Sequence, residues 1–309
     1  MITGDVMEER KLLLIVNPFS GKAKMVTNLM AVTRILSDKG FSVTVYPTKS
    51  VGDATRRVKE VSENEFERIV VCGGDGTLNE VITGLMISGV KSKIGYIPAG
   101  TLNEWSQSLK IPRSIPQAAV SASGDDEIVL DIGKFGDRYF TYTASFGAFT
   151  EVSYSAPQEV KNVLGQAAYF FEGIKSLGNI KPVHLRIECE EKCIDGDFLF
   201  GAVSNSMSIG GIVKFKENLV KLNDGLLEVV LIKNPSNIIE FQQIVDGILR
   251  GDLNRECIEF FHTKSIKVLG GRGVSWTLDG EFAPGRDELI IENVPSALRL
   301  VTQSEKEGN

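Results

Sequence analysis

Short apolar runs alternate with amphipathic segments over the first 122 residues of the chain. Four of these runs have the length and β-branched content of buried strands, and apolar residues in the segments between them recur with the 3.6-residue period of a helix. In the first such segment, Leu29, Val32 and Leu36 share one face. The predicted strands are residues 12–16, 42–46, 68–71 and 94–97. This β-α-β-α order predicts a parallel sheet covered by helices, a Rossmann-like α/β domain.

The pattern changes after residues 121–126, a run of small and polar residues that we interpret as a domain boundary. Beyond it, closely spaced β-like runs with turn residues between them predict a mainly-β, sandwich-like domain. These runs are residues 128–132, 139–143, 184–189, 198–203, 226–232, 265–268 and 289–291. One helical segment, residues 160–177, interrupts them with the bulky apolar group 169–171. We therefore predict an α/β domain over residues 1–126 and a mainly-β domain over residues 127–309, whose last strand is free to return to the first domain.

The composition fits two globular domains and excludes several other classes of protein. The chain has 309 residues, of which 42% are hydrophobic, and a net charge of −6. These values exclude a disordered chain and argue against a nucleic-acid coat or a polybasic membrane anchor. The four cysteines match no common zinc or redox spacing, and no apolar run approaches the roughly 18 residues needed to cross a bilayer. We expect a cytoplasmic protein with reduced thiols that binds no nucleic acid.

The most informative segment is residues 69–80, where a buried-looking strand passes through Gly73, Gly74 and Gly76 into a helical pattern. Glycines let backbone amides approach an anion without obstruction, and a helix N-terminus adds partial positive charge. Phosphate is therefore a natural occupant of this turn. Asp75 stands inside it, where a carboxylate must be held by other groups or coordinate a ligand. The turn is neither a Walker-type P-loop nor a Gly-x-Gly-x-x-Gly dinucleotide fingerprint.

Two further turns have the same position between a strand and a helix. Residues 14–22 end the first strand with Asn17, Ser20 and Gly21, which offer hydrogen-bonding side chains and room for a phosphate. Residues 97–104 again place Gly-Thr after a strand and before a helix. Because the carboxyl ends of parallel strands meet at one edge of a sheet, we expect the three turns to converge there, where open α/β sheets bind ligands.

Together these motifs resemble the diacylglycerol kinase catalytic domain family, and above all its small bacterial lipid kinases. The matching turns are Asn-Pro-Phe-Ser-Gly at 17–21, Gly-Gly-Asp-Gly-Thr-Leu-Asn-Glu at 73–80 and Pro-Ala-Gly-Thr-Leu-Asn at 98–103. The match continues through residues 162–182, 205–211, 222–227 and 278–281, and so covers nearly the whole chain. Gly-Gly-Asp-Gly-Thr alone is shared with NAD kinases, but Asn-Pro-x-Ser-Gly and the C-terminal Asp-Gly-Glu favour lipid kinases.

The resemblance implies an ATP-dependent kinase that transfers the γ-phosphoryl group to a lipid hydroxyl, with diacylglycerol as the expected acceptor and phosphatidic acid as the product. Such an enzyme would reach its lipid by peripheral contact with a membrane. The resemblance also implies that residues of the three turns and of the end of the second strand line the ATP site. These residues are Asn17, Pro18, Phe19, Ser20, Gly21, Thr48, Gly73, Gly74, Asp75, Gly76, Thr77, Leu78, Asn79, Glu80 and Thr101.

For the chemistry, the resemblance implies that Asp279 and Glu281 supply the acidic end of the reaction centre, with Glu281 as the proton acceptor. A carboxylate fits that role, since an alcohol has a pKa far above 7 and loses its proton as the phosphoryl group is transferred. Asp75 is the alternative base, as is usually argued for sphingosine kinases, or else it holds Mg²⁺ or orients Glu281. An ordinary surface turn would also use Asp-Gly readily.

The resemblance further implies a structural Mg²⁺ held by the Asp224 carboxylate and the backbone carbonyls of Lys221 and Leu226, since magnesium takes oxygen ligands and keeps several waters. Two other functions stay open. An NAD kinase shares the Gly-Gly-Asp-Gly-Thr turn, and a non-catalytic lipid or nucleotide sensor gains support from residues 103–107, where Asn-Glu-Trp-Ser-Gln replaces the family's Asn-Asp-Phe-Ala-Arg. The identity of the lipid alcohol and the formation of a homodimer also stay open.

Overall fold

The computed structural model describes residues 9–101, 103–147, 181–209, 213–216 and 219–302, and the chain forms two compact units. Unit 1 extends as far as Leu130 and takes up the chain again from Ala297, whereas unit 2 extends from Asp131 to Ser296. The helical segment predicted at residues 160–177, with its apolar group 169–171, lies outside the described residues.

Unit 1 is built on a parallel sheet with the strand order β2-β1-β3-β4, and the end of strand β17 (Glu288–Thr302) lies beside β4. The first four strands are β1 (Arg10–Val16), β2 (Phe41–Pro47), β3 (Arg68–Gly73) and β4 (Lys93–Pro98). The helices are α1 (Lys24–Asp38), α2 (Asp53–Lys59), α3 (Asp75–Ser88), α4 (Glu104–Ser108) and α5 (Ile115–Ala122). The predicted α/β order and all four predicted strands are confirmed.

Strands β1 and β3 lie in the middle of this sheet and are almost entirely buried, so their sequences are continuous apolar runs. Arg68 is the exception, since its guanidinium is fully buried at the start of β3. It donates hydrogen bonds to the carbonyl oxygens of Ala122 and Gly124 at the end of α5, and it lies over the ring of Phe41. Arg68 thus satisfies helix-end carbonyls that have no partner within the helix.

Unit 2 is mainly antiparallel, with the strand order β16-β15-β7-β9-β8-β14-β17 and with β12 between β9 and β13. Strand β5 (Asp126–Phe135) leads from unit 1 into unit 2, and β17 (Glu288–Thr302) leads back. The other strands are β6 (Arg138–Phe140), β7 (Thr143–Gly147), β8 (Val183–Glu188), β9 (Cys193–Ser204), β10 (Ser208–Ile209), β11 (Val213–Lys214), β12 (Leu227–Lys233), β13 (Ile258–Thr263), β14 (Ser265–Leu269), β15 (Ser275–Leu278) and β16 (Glu281–Pro284).

Two apolar clusters form the core of unit 2, and strand β12 contributes to both. Val229 and Leu231 pack into a cluster around Trp276. Val230 and Ile232 pack into a second cluster, together with residues of helix α6 (Ile238–Arg250). Alternate residues of a strand point to opposite faces of its sheet, so a strand with a core on each side is apolar throughout. The predicted mainly-β character of this part of the chain is confirmed.

The single strand predicted at residues 139–143 is interrupted: residues 139–140 lie in β6 and Thr143 begins β7, but the chain turns at Thr141 and Tyr142 between them. The backbone N–H groups of residues 141–143 donate to the side chain of Asp279 instead of to a neighbouring strand. Their hydrogen-bonding partner therefore lies far away in the sequence, and the local pattern could not reveal it.

Helix α6 was not predicted, although its start is marked in the sequence. The side chain of Asn237 accepts hydrogen bonds from the backbone N–H groups of Ile239 and Glu240, and Glu240 accepts one from the backbone N–H of Ser236. This reciprocal capping is typical of a helix N-terminus, and the Asn-x-x-Glu spacing signals it.

Candidate active site

The three predicted turns follow neighbouring strands and meet at one edge of the unit 1 sheet. The backbone N–H of Asn17, after β1, donates to the carbonyl oxygen of Cys72 at 2.9 Å. The backbone N–H of Ala99, after β4, donates to the carbonyl oxygen of Gly73 at 2.8 Å. Both outer turns are therefore attached to the end of β3, and the predicted convergence of the turns is confirmed.

Glycines allow these turns to approach more closely than side chains would permit. A Cβ atom at Gly100 would lie 2.6 Å from the Cα of Gly74, and one at Gly21 would lie 2.1 Å from the carbonyl oxygen of Ala99. Gly21 also has a φ of +58°, in the left-handed region that side chains disfavour. The edge is thus lined by backbone, which suits the binding of a polyphosphate.

The start of α3 supplies hydrogen-bond donors at this edge. The helix begins at Asp75, directly after the extended Gly74, and the N–H groups of its first turn have no acceptor within the helix. The aligned peptide dipoles of its 14 residues add partial positive charge at that end. The side-chain amide of Asn17 donates to Thr77 Oγ1 at 3.0 Å and so attaches the first turn to the helix start. The backbone cradle and these donors fit the phosphates of ATP.

Asp75 is held by protein groups. Its Oδ2 accepts a hydrogen bond from the backbone N–H of Glu104 at 3.0 Å, which links the second turn to the start of α4. The phenol of Tyr96 is buried near this carboxylate, and burial together with the negative charge of Asp75 raises the pKa of Tyr96. Asp75 therefore fixes the relative position of two of the glycine-rich turns.

Two residues that the resemblance assigned to the ATP site have other contacts in unit 1. The Glu80 carboxylate accepts hydrogen bonds from the backbone N–H groups of Gly52 and Ala54, at 2.8 and 3.1 Å, and so caps the start of α2. It thereby holds the loop that carries Thr48, whose own backbone N–H donates to the carbonyl oxygen of Val16. The side chain of Leu78 is fully buried in the core.

The acidic motif of unit 2 forms a tight hairpin turn between β15 and β16. Asp279 and Gly280 have φ values of +49° and +90°, as a two-residue type I′ turn requires. The Asp279 carboxylate is buried and accepts hydrogen bonds from the backbone N–H groups of residues 141–143, at 2.6 to 3.0 Å, and from Thr141 Oγ1 at 2.8 Å. Burial raises the pKa of Asp279, while these donors favour its ionised form. The carboxylate thus anchors the turn, and Glu281 follows it with an exposed side chain.

The loop predicted to bind Mg²⁺ lies between Lys221 and Leu226, and Asp224 is exposed within it. Asp224 Oδ1 accepts a hydrogen bond from the backbone N–H of Leu226 at 3.1 Å. In the described part of the chain, no group of three or more His, Cys, Asp and Glu side chains is arranged to hold a metal ion. One exposed carboxylate with backbone carbonyls still matches the oxygen ligands and retained waters of Mg²⁺.

Asp131 supports this loop, and it was not predicted. Its buried carboxylate accepts hydrogen bonds from the backbone N–H groups of Gly225 at 2.7 Å and Ser296 at 2.8 Å, and from the Asn293 amide at 3.0 Å. The side-chain amide of Asn205 donates a hydrogen bond to the backbone carbonyl oxygen of Asp131 at 2.8 Å. The sequence did contain a sign of this role, since Asp131 is an acidic residue within the apolar run 128–132. A carboxylate that is buried with such a run needs hydrogen-bond donors around it.

Gly100→Ala is expected to lower the affinity for ATP at least about tenfold, because the added methyl group would overlap the Gly74 backbone and distort both turns. Gly74→Ala is the matched control. Its Cβ would lie 3.3 Å from the Cα of Gly100, a contact that a shift of a few tenths of an ångström relieves. Titration with a fluorescent ATP analogue, alongside thermal unfolding, measures both variants. Equal affinities of the two variants would contradict the steric argument.

Comparison with known proteins agrees with this arrangement. The family model described as "Diacylglycerol kinase catalytic domain" matches residues 11–135, and the "YegS C-terminal NAD kinase beta sandwich-like domain" matches residues 144–302. The diacylglycerol kinase of Bacillus subtilis (strain 168) is 33% identical over 271 residues, which are 87% of this chain and 89% of that protein. The diacylglycerol kinase of Staphylococcus saprophyticus is 32% identical over 270 residues, 87% of this chain and 88% of that protein.

Solved structures show the same fold. One crystal structure from Bacillus anthracis str. Sterne matches with a TM-score of 0.81 and 27% identity, over 96% of this chain and 98% of that one. A diacylglycerol kinase structure from the same organism gives a TM-score of 0.74 at 24% identity, over 96% and 97% of the two chains. With two family models in sequence and curated relatives above 30% identity over most of its length, the chain belongs to the diacylglycerol kinase catalytic domain family, whose members are kinases that use ATP.

Proposed function

We propose that this protein is an ATP- and Mg²⁺-dependent lipid kinase that phosphorylates the hydroxyl group of diacylglycerol to give phosphatidic acid. The observation that carries the proposal is the meeting of three glycine-rich turns at one sheet edge of unit 1, in a chain that belongs to this kinase family. The acceptor is inferred from the relatives in Bacillus subtilis and Staphylococcus saprophyticus that bear the name diacylglycerol kinase.

In this proposal the unit 1 edge binds the nucleotide. Backbone amides of Gly74 and Gly76 hydrogen-bond phosphate oxygens, and the dipole of α3 favours their negative charge. Asp75 fixes the second turn relative to the third by accepting a hydrogen bond from the backbone N–H of Glu104. Mg²⁺ would be held by Asp224 with the carbonyls of Lys221 and Leu226, and a bound Mg²⁺ supplies positive charge next to its oxygen ligands.

The chemical step forms a bond between the lipid oxygen and the γ-phosphorus and breaks the bond between that phosphorus and the leaving oxygen of ADP. Glu281 takes the hydroxyl proton as the new bond forms. Asp279 has its carboxylate committed to four hydrogen bonds and positions the turn before Glu281. Asp75 stays the alternative proton acceptor.

In this proposal the protein reaches its lipid substrate by binding peripherally to a membrane surface. Among the residues that the structure describes, no helix combines the length and the apolar character needed to span a bilayer. The diacylglycerol hydroxyl lies at the membrane–water interface, where a protein that binds from the aqueous side can reach it.

The proposal is tested by transfer of radiolabelled phosphate from ATP to a panel of acceptors, with the product identified by mass spectrometry. The panel contains diacylglycerol, phosphatidylglycerol and a sphingoid base in mixed micelles, and NAD in detergent-free buffer. We expect phosphatidic acid as the dominant product and loss of the reaction on chelation of Mg²⁺. Phosphorylation of NAD alone would identify an NAD kinase instead, and binding of ATP and lipid without any product would identify a sensor.

A further inference from the structure

Arg138 joins the start of β6 to the strand that carries Glu281. Its Nη1 donates a hydrogen bond to the backbone carbonyl oxygen of Phe282 at 2.8 Å. Its Nη2 lies 3.9 Å from Glu281 Oε2. One planar guanidinium thus contacts the backbone of β16 and the neighbouring carboxylate at the same time, as its fixed fork of donors allows.

The hydrogen bond to Phe282 matters because β16 pairs only with β15 in the described part of the chain. Next to the two-residue turn, Leu278 and Glu281 face each other across the hairpin, followed by Thr277 and Phe282. Hydrogen-bonded and non-hydrogen-bonded pairs alternate along an antiparallel ladder, so the backbone N–H and C=O groups of Phe282 point away from β15. Arg138 donates to the Phe282 carbonyl oxygen on that side and so restrains the outer edge of β16.

We propose that Arg138 is a positioning residue for Glu281, a role that rests on the proposed lipid kinase function. Asp279 anchors the turn before Glu281 from one side, through residues 141–143, and Arg138 anchors the strand after it. The two anchors therefore hold the backbone on either side of Glu281, whose side chain is exposed. An exposed ion pair at this distance contributes little by itself, so the restraint on β16 is the main effect.

The test compares three single variants with the wild type. Arg138→Gln is expected to lower kcat about tenfold, because a base misplaced by a fraction of an ångström loses efficiency, while KM for ATP and for diacylglycerol changes less than about twofold. Arg138→Lys is expected to retain a kcat between those of the wild type and Arg138→Gln, since one ammonium group cannot reach both the Phe282 carbonyl and the Glu281 carboxylate. Arg272→Gln is the control: it removes a comparable exposed ion pair, that with Asp287, and leaves kcat unchanged.

A double variant separates positioning of Glu281 from general loosening of unit 2. In a Glu281→Gln background, Arg138→Gln is expected to cause no further loss, because the residue that it positions is gone. An equal loss in both backgrounds, a change in KM alone, or full activity of Arg138→Gln would overturn the inference. A wild-type protein that phosphorylates no lipid overturns the proposed function, and this inference with it, whereas an active wild type with an indifferent Arg138 overturns the inference alone.

Discussion

Glu281→Gln is expected to lower kcat of lipid phosphorylation by about 10²- to 10⁴-fold, the range that general base catalysis contributes. The side chain is exposed and follows a turn that is anchored by Asp279, so the substitution removes a proton acceptor while the anchor of the turn stays in place. Affinity for ATP, which the glycine-rich turns of unit 1 determine, should change less than about twofold. Steady-state kinetics and nucleotide titration on the same preparation measure both quantities.

Asp279→Asn is the matched comparison, two residues away in the same hairpin. Its amide would place an N–H group against the backbone donors of residues 141–143, so the folded state should lose roughly 2–4 kcal/mol of stability. We therefore expect a lower unfolding midpoint for Asp279→Asn and an unchanged one for Glu281→Gln. Undiminished turnover of Glu281→Gln would reject Glu281 as the base and would transfer that role to Asp75.

Glu228→Gln is expected to stabilise the protein increasingly as pH rises. Glu228 is fully buried on β12, and in the described part of the chain no other residue donates a hydrogen bond to its carboxyl oxygens. Burial, with a smaller contribution from the charge of Asp224, raises its pKa to about 8. The folded protein therefore keeps this proton at neutral pH, while the unfolded chain, with a pKa near 4.5, releases it.

The sign follows from the protons bound in each state. Between pH 5 and 8 the unfolded state binds fewer protons at this site, so the wild type loses about 1.4 kcal/mol of stability per pH unit. Glu228→Gln removes that loss, and its stability relative to the wild type should grow by roughly 3–4 kcal/mol across the range. Any fixed cost of burying the amide does not affect this slope.

Urea unfolding at pH 5, 6, 7 and 8 measures the slope. Glu259→Gln is a suitable control, because Glu259 lies on the adjacent strand β13 and forms an ion pair with Lys233 at 2.9 Å. Unlike Glu228, Glu259 has a hydrogen-bonding partner, so we expect the control to differ from the wild type by the same amount at every pH. Parallel pH curves for the wild type and Glu228→Gln would show that Glu228 is ionised in the folded protein.

The local pattern was sufficient for those parts of the fold whose determinants are local. The strands of unit 1 are continuous apolar runs because they are buried on both faces, and three of the four end at glycine-rich or polar turns. The hairpin of β15 and β16 was harder to predict from the sequence, since each of its strands has only four residues. The break at Thr141 could not be predicted, because the carboxylate that causes it belongs to Asp279.

The candidate site shows the same division. Glycines at strand ends predicted where a phosphate could approach, since the absence of a side chain is itself the signal. Carboxylates were harder to assign, because a sequence shows a charge but not its partners. Glu80 proved to cap α2, and Asp131 proved to hold the loop of Asp224 through Gly225. Arg138 follows a short polar turn in the sequence, and nothing in the local pattern indicates its contacts with β16.

The hydrogen bond between Asp131 and Ser296 has a consequence for the modular construction of the chain. These are the first and last residues of unit 2, and the backbone N–H of Ser296 lies 2.8 Å from Asp131 Oδ1. The two ends of the unit are therefore adjacent, as in domains that tolerate insertion into a host or circular permutation. Unit 1 cannot be obtained by simple truncation, since residues from Ala297 onward complete its sheet beside β4. A short linker from Leu130 to Ala297 would instead restore a continuous chain, and unit 2 could be closed on itself in the same way.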